Sequence, residues 1–259
     1  MRAVSVHADV VVVTSQVWQT TCTAVRSGEE AFVIDSPVLG EELDALPALL
    51  EQAGFAVTGL LATHADWDHL LGRLAFPAAA LGVAETTAAR LRAEPGAAQR
   101  ELRAFDERWY LARPRPLSLG DVQALPVPGH LGAGEMELEL HPADGHTADG
   151  MAVWVPWASV LCCGDYLSPV EIPMLSPGGS AAAYEATLRR LRPLVERAEA
   201  VVPGHGAPLT RERALEILAQ DVAYLAALRE VGKAATLPAG RDGGEQRRIH
   251  GENVDRAAR

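Results

Sequence analysis

Short apolar runs separated by turn residues dominate the first third of the chain. Residues 10–13, 20–25 and 31–34 are rich in strand-forming side chains, and Ser27-Gly28 marks a turn between the second and third runs. Asp35 follows the third run directly. The pattern therefore predicts a meander of strands that ends at a carboxylate.

After Asp35, the apolar residues have the spacing of a helix. One face of a helix within residues 41–53 carries four leucines, and Gly54 supplies its stop, although Pro47 leaves its start open. Residues 57–63 form a short apolar run typical of a buried strand. This strand places His64 just beyond its carboxyl end, where α/β folds concentrate their chemistry.

In the middle of the chain, helical segments are again followed by strand-forming segments. Residues 85–115 are rich in arginine and acidic residues, which favours a pair of solvated helices; a lid that selects substrates is the functional alternative. Strands return within residues 136–140, 151–155 and 159–163. The loops near these strands carry His146 and Asp165.

The last third predicts two helices around a short strand. Ser180 opens the first helix, residues 200–202 form the strand, and Thr210 caps a long amphipathic helix. From residue 240 onward the sequence is polar and charged, which predicts a loosely packed tail over 240–259, from which His250 could dock onto a site. We therefore expect one folded domain over residues 1–239, with a helical insertion at about 85–115.

Composition narrows the class of protein. The 259 residues are 48% hydrophobic, enough for a large core, and the net charge of -11 disfavours nucleic acid and anionic membranes as partners. The apolar run at 151–163 is too short for a membrane span and contains Pro156. We expect a small-molecule substrate; the sequence leaves the oligomeric state open.

Two further features indicate a cytoplasmic location. His7 and Asp9 interrupt the N-terminal segment where a signal peptide would be apolar. The chain has three cysteines, an odd number, and Cys162 and Cys163 would lie on opposite faces of a strand, which argues against a disulfide framework.

The strongest chemical signal is the sequence HADWDH at residues 64–69. Imidazole and carboxylate side chains bind borderline and hard divalent metals, and four of them fall within these six residues. Trp67 alternates with them and is expected to face away from a metal. Three further candidate ligands follow or lie between turn residues: His146, Asp165 and His205.

These positions resemble the metallo-β-lactamase superfamily over about residues 10–230. That family is marked by H-x-H-x-D-H after a strand, then a lone His, a lone Asp and a last His, with an earlier Asp at a strand end. The matching positions here are Asp35, His64, Asp68, His69, His146, Asp165 and His205. The resemblance implies an α/β fold, a four-layer αββα sandwich of two mixed β-sheets flanked by helices, with a two-metal site at one sheet edge.

The resemblance also implies a distribution of ligands. One metal would be held by His64, Asp66 and His146, and the other by Asp68, His69 and His205. Asp165 would bridge the two. Asp35 is expected to brace the ligand loop through hydrogen bonds.

Asp66 departs from the family pattern, which usually has a histidine there. With a bridging hydroxide, the carboxylate lowers the formal charge of a two-metal site from +1 to zero, which weakens its Lewis acidity and shifts preference from zinc toward iron or manganese. The flavodiiron branch similarly has a carboxylate at this position, a glutamate. Two alternatives remain open: Asp66 points away and one metal is bound, or the set is a metal-free relic.

Two bound divalent ions, zinc in the first place and otherwise iron or manganese, would lower the pKa of a bridging water from about 16 toward 7. The leading hypothesis is a metal-dependent hydrolase that attacks the carbonyl of an ester, thioester, lactone or amide with a metal-bridging hydroxide. Asp68 would orient the hydroxide, and Tyr166 would donate a hydrogen bond to substrate unless it packs in the core. The competing hypotheses are a non-heme diiron oxygen-binding or redox protein and a metal-stabilised sensor without turnover.

Overall fold

Seven strands form the first sheet of the computed structural model, which describes residues 1–257. Their spatial order follows the chain from β1 to β7; the first four strands are antiparallel, and β4 to β7 run parallel. The strands are β1 (Arg2–His7), β2 (Val10–Thr14), β3 (Thr21–Ser27), β4 (Glu30–Asp35), β5 (Val57–Ala62), β6 (Ala80–Ala84) and β7 (Val122–Leu125).

Five strands form the second sheet, in the order β12-β11-β10-β9-β8. Only the β11–β12 pair is parallel, so this sheet is mixed as well. The strands are β8 (Gly129–Ala133), β9 (Met136–Pro142), β10 (Met151–Val155), β11 (Val160–Cys162) and β12 (Ala200–Val202).

Seven α-helices cover the two sheets within the described residues. They are α1 (Gly40–Gln52), α2 (Gly72–Ala75), α3 (Glu85–Ala93), α4 (Ala97–Trp109), α5 (Ala181–Arg197), α6 (Arg211–Val231) and α7 (Gly244–Ala257). Ser180 and Thr210 cap α5 and α6 as predicted, because their side chains accept hydrogen bonds from the backbone of Ala183 and Arg213.

Three buried clusters separate four layers. Alternate strand residues point to opposite faces, so Leu60 packs under α1 while Leu61 packs between the sheets. Trp154 likewise faces α5 and α6, whereas Val153 faces the inter-sheet core. The predicted αββα sandwich of two mixed sheets is confirmed.

Several elements lack a clear sequence signal. The half-exposed strand β1 and the short strands β6, β7 and β8 were not predicted, because each is brief or lacks alternation. The helical pair at 85–115 is present but ends at Trp109. No helix within residues 1–257 has the length and apolar character to cross a membrane.

The predicted loose tail is wrong, because most of it forms α7. Ile249 and Asn253 of this helix are buried, and Ile249 joins the core shared with α5 and α6. Arg241, just before α7, is 2% exposed and donates to the buried Asp221 of α6 at 2.7 Å. The average polarity of the tail gives the wrong prediction, because the few inward-facing residues of α7 determine whether this helix docks onto the core.

The Arg241–Asp221 pair generates a stability prediction. Arg241→Met should lower the free energy of unfolding by about 3–5 kcal/mol, because it leaves a buried carboxylate without its partner. The double variant Asp221→Leu, Arg241→Met should recover part of that loss, since no unpaired charge remains although Glu171 O still lacks its donor. Urea unfolding measures both, with the exposed Arg248→Ala as a near-neutral control. Equal instability of the single and double variants would contradict this account.

Candidate metal centre

The candidate ligands converge where strands from both sheets end. Asp35 ends β4, His64 follows β5, Asp165 follows β11 and His205 follows β12. The parallel pairs β4–β5 and β11–β12 carry these residues to the same edge. His146 joins them from the loop between β9 and β10.

The loop after β5 separates ligand-type side chains from packing side chains. A short 3₁₀ helix (Trp67–His69) turns the chain so that Asp68 and His69 face the centre. Trp67 faces the other way and packs against Phe105 of α4 and Trp18, with ring centroids 4.9 and 5.6 Å away. The predicted orientation of Trp67 is confirmed.

Two groups of three residues that share no member can each surround one cation, and a third, His64, His69 and Asp165, overlaps both. In the first group, Asp66 Oδ2 lies 3.2 Å from His146 Nε2 and 3.7 Å from His64 Nε2. In the second group, Asp68 Oδ2 lies 3.5 Å from His205 Nε2 and 3.6 Å from His69 Nε2. Asp66 therefore faces the centre rather than pointing away.

Asp165 lies between the two groups. Its Oδ2 is 3.3 Å from His146 Nε2 and 3.6 Å from His64 Nε2. Its Oδ1 is 3.2 Å from His69 Nε2 and 3.5 Å from His205 Nε2. Each carboxylate oxygen thus faces one group, the arrangement expected of a bridging ligand.

Three of the four imidazoles are hydrogen-bonded from outside through Nδ1, and His69 Nδ1 has an ion-pair contact with Asp35 instead. His146 donates to Met174 O at 2.8 Å and His205 to Trp18 O at 3.1 Å. His64 Nδ1 is 3.0 Å from Thr63 Oγ1, which donates its own hydrogen to Asp35. His69 Nδ1 lies 3.0 Å from Asp35 Oδ2. These contacts leave the Nε2 atoms to face one another, as metal-binding histidines require.

Asp35 supports the ligand loop through hydrogen bonds, as the sequence predicts. Its carboxylate accepts from the backbone N–H of Thr63 at 2.8 Å and from the Thr63 hydroxyl at 2.9 Å. The residue has φ +58°, a left-handed backbone that is strained for aspartate and turns β4 toward the ligand loop.

Glycine at position 204 permits the close approach of the loops. A Cβ atom there would lie 2.1 Å from Asp165 Oδ1 and 3.0 Å from His69 Cε1. Within the described residues, His64 Nε2, His69 Nε2 and Asp165 Oδ1 are buried and have no hydrogen-bond partner. Buried polar atoms that converge without hydrogen-bond partners fit a cation.

The charges of the cluster shift its proton affinities. Burial lowers the pKa of His146, but Asp165 and Asp66 outweigh it and raise the value to about 9. Burial also opposes the charge of His205, whereas Asp165 and Glu171 raise its pKa to about 10. His64 differs, because burial and the neighbouring His69 lower its pKa. The metal-free cluster therefore carries protons at positions that a cation would occupy.

The family model of the metallo-β-lactamase superfamily matches residues 15–205, which include every candidate ligand. The chain belongs to the metallo-β-lactamase superfamily. This match covers most of the chain and supports divalent metal binding at the cluster, without specifying the metal.

Solved structures of other proteins share the fold. A metallo-β-lactamase family protein, TTHA1429 from Thermus thermophilus, is 21% identical with a TM-score of 0.67, covering 88% of this chain and 84% of its own. The metallo-β-lactamase from Pontibacter korlensis is 19% identical with a TM-score of 0.63, covering 84% and 97%. TTHA1623, solved in a di-iron-bound form, is 26% identical with a TM-score of 0.62, covering 80% and 97%.

Sequence reasoning missed Arg90, which lies on α3. Its guanidinium is 2.9 Å from Asp66 Oδ1 and 2.9 Å from Asp149 Oδ1, while Asp149 Oδ2 accepts from the backbone N–H of Ala65. Arg90 therefore occupies one oxygen of Asp66 and leaves the other facing the histidines. The formal charge of zero expected from the ligands alone is also incomplete, because Arg90 offsets part of the charge that Asp66 adds.

Tyr166 is not the substrate contact suggested by its position after Asp165. It is 2% exposed, and its hydroxyl accepts from the backbone N–H of His146 at 3.0 Å and donates to Ala143 O. Its role is to hold the His146 loop. His250 does not dock onto the centre either, because it contacts the hydroxyl of Tyr224 and the carbonyl of Lys233.

A cavity of about 350 Å³ adjoins the centre on the side of α3 and α4. Its lining includes Ala65 and Arg90, next to Asp66, together with Glu94, Glu101 and Leu119. Burial and the nearby Asp66 raise the pKa of Glu101. The helical pair is thus more than a solvated surface, since it supplies one wall of a cavity beside the centre.

The glycine contact gives the first prediction for the centre. Gly204→Ala should displace Asp165 and weaken binding of a second metal equivalent at least about tenfold, because the added methyl group overlaps a candidate bridging oxygen. Zn²⁺ titration against a chromophoric chelator measures this loss. Gly132→Ala is the matched control, since nothing lies within 4 Å of its added Cβ. Equal losses in both variants would argue against the assigned contact.

Proton affinities give the second prediction. Because the pKa values of His146 and His205 are raised to about 9 and 10, both rings are protonated on both nitrogens at pH 7 in metal-free protein. Metal binding should therefore release protons, and metal affinity should increase as pH rises from 7 toward 10. Calorimetric titration in two buffers of different ionisation enthalpy counts the protons. A heat that does not depend on the buffer would disprove this linkage.

Proposed function

We propose that this protein is a metal-dependent hydrolase that attacks the carbonyl carbon of a small ester, thioester, lactone or amide. The observation that carries the proposal is the placement of Asp165, with one oxygen toward each group of three candidate ligands. Two cations held in this way would lie side by side. That arrangement suits hydrolysis, which needs both a nucleophilic water and a polarised carbonyl.

The candidate residues would have two functions, which are to hold the metals and to orient the attacking water. His64, Asp66 and His146 would hold the first metal, Asp68, His69 and His205 the second, and Asp165 would join them. When bound, the two metals supply Lewis acidity and lower the pKa of water. Asp68 would also accept a hydrogen bond from the attacking water and so orient it toward the carbonyl carbon.

The surroundings of the centre favour a small substrate with an apolar portion. The adjoining cavity, at about 350 Å³, falls within the range of small-molecule sites. Beside His205, whose ring donates to the Trp18 carbonyl, the Trp18 side chain is 46% exposed and its ring packs edge-on against Trp67 and Phe105. The exposed Trp18 ring would cover an apolar acyl or alcohol group, while the cavity lined by Arg90 and Glu101 takes the other half.

A diiron redox protein is the second candidate. It is favoured by Asp66, a carboxylate that faces the first group, and by the similarity to TTHA1623, which was solved in a di-iron-bound form. Carboxylate-rich ligation suits iron or manganese better than an all-histidine set does. Arg90 reduces this preference, because it neutralises part of the charge of Asp66.

Metal content and turnover, measured together, test the proposal. Protein purified without added metal should contain about two zinc ions per chain and should hydrolyse generic ester and thioester substrates. Asp68→Asn should lower kcat by about 100-fold or more, because an uncharged amide oxygen is a weaker acceptor for the water and a weaker metal ligand than a carboxylate. His141→Asn serves as the control, since His141 contacts only Glu139 among the described hydrogen bonds.

The other outcomes separate the candidates. Two iron ions with little hydrolysis would favour the diiron protein, and about one metal ion would mean that the first group is incomplete. Asp66→His should raise zinc-dependent hydrolysis if the hydrolase proposal is correct. Loss of oxygen consumption in that variant, with hydrolysis unchanged, would support the diiron candidate instead.

A further inference from the structure

We propose that residues 241–256 are a brace for the metal centre, whose buried polar side chains fix the loop that orients His146 and contacts His205. That loop spans residues 168–176 and contains neither helix nor strand. The brace lies entirely beyond residue 205, where the match to the family model ends.

The 168–176 loop touches both groups of candidate ligands. Met174 O accepts from His146 Nδ1 at 2.8 Å, and the backbone N–H of Ser176 donates to His146 O at 2.7 Å. Ser168 Oγ donates to His205 O at 2.8 Å. The direction of the His146 ring thus depends on where the Met174 carbonyl points.

Asn253 of α7 fixes the peptides on either side of Met174. Its Oδ1 accepts from the N–H of Leu175 at 2.8 Å, and its Nδ2 donates to Pro173 O at 2.7 Å. Asn253 is fully buried, so water does not replace these bonds. Arg256, one turn further along α7, donates to Leu175 O.

The beginning of the loop is held in the same way. Gln246 Oε1 accepts from the N–H of Ile172 at 2.8 Å. Arg241 donates to Glu171 O at 2.8 Å and to Ser168 O at 3.2 Å, while its pairing with Asp221 ties it to α6. Side chains of the brace therefore form hydrogen bonds with main-chain groups from residue 168 to residue 175 of the loop.

The backbone of an irregular, buried loop must find hydrogen-bond partners outside regular structure. Buried N–H and C=O groups need such partners, and strands or helices normally supply them. Here side chains of the brace supply them, so the geometry of the loop follows from the docking of α7. Asn253, Gln246 and Arg241 are positioning residues, since they act on the centre only through this loop.

The inference rests on metal binding by the cluster, as the proposed function does, but not on hydrolysis. Its test uses the full chain with Asn253→Ala, the milder Arg256→Ala, and Arg248→Ala as a control on the same helix. Arg248 contacts only Glu245 and Glu252 among the described ion pairs and lies on the outer face of α7. Zn²⁺ affinity is measured by competition with a chelator. Histidine-selective ¹⁵N labelling follows hydrogen exchange at each Nδ1–H, with and without Zn²⁺.

Asn253→Ala should weaken Zn²⁺ binding about tenfold, in the range of losses found for residues that orient ligands. Exchange at His146 Nδ1–H should accelerate, while His64, which Thr63 holds, should keep its rate. Arg256→Ala should shift both readouts less and in the same direction, and Arg248→Ala should shift neither. If Asn253→Ala does not fold, Arg256→Ala decides by the same two measurements.

Two results would overturn the brace. One is a folded Asn253→Ala variant with unchanged affinity and unchanged exchange at His146. The other is equal acceleration at all four imidazoles, which would indicate general loosening. A wild-type chain that binds no Zn²⁺ and no other divalent ion would instead overturn the proposed function, and exchange rates of metal-free protein would still decide the brace.

Discussion

The placement of the buried carboxylate of Asp165 among four imidazoles is the constraint on which the centre depends. A carboxylate in a dry interior is costly unless positive charge or hydrogen-bond donors surround it. The four histidines surround it through Nε2 only because each ring is held through Nδ1 by a carbonyl, a hydroxyl or Asp35. The strained turn at Asp35 and the absent side chain at Gly204 both follow from bringing these groups so close together.

The features that the sequence predicts are those that depend on residues close together in the chain. Helix caps at Ser180 and Thr210, the strand before His64 and the cluster of candidate ligands all depend on neighbouring residues. The layered fold is predicted by the resemblance to the metallo-β-lactamase superfamily and not by the spacing of hydrophobic residues. The sequence alone leaves the direction of Asp66 open, and the structure turns it toward His146.

What the sequence did not predict depends on contacts between distant segments. Arg90 resembled any arginine on a solvated helix, and only the docking of α3 places it on Asp66. Tyr166 is adjacent to Asp165 in sequence, but its hydroxyl turns back to the main chain of the His146 loop. The polar tail proved to be α7 because three inward side chains, Gln246, Ile249 and Asn253, outweigh its otherwise charged surface.

The two groups of candidate ligands draw members from both halves of the sandwich. His64 and Asp66 come from the first sheet, whereas His146, Asp165 and His205 come from the second, and the brace follows them in the chain. A ribosome therefore finishes the first sheet at residue 125, before His146 and His205 complete the two groups. The second group is complete only when His205 has been made, so this centre can be filled only late in synthesis. Neither group can therefore offer a metal its full set of ligands until part of the second half has been made.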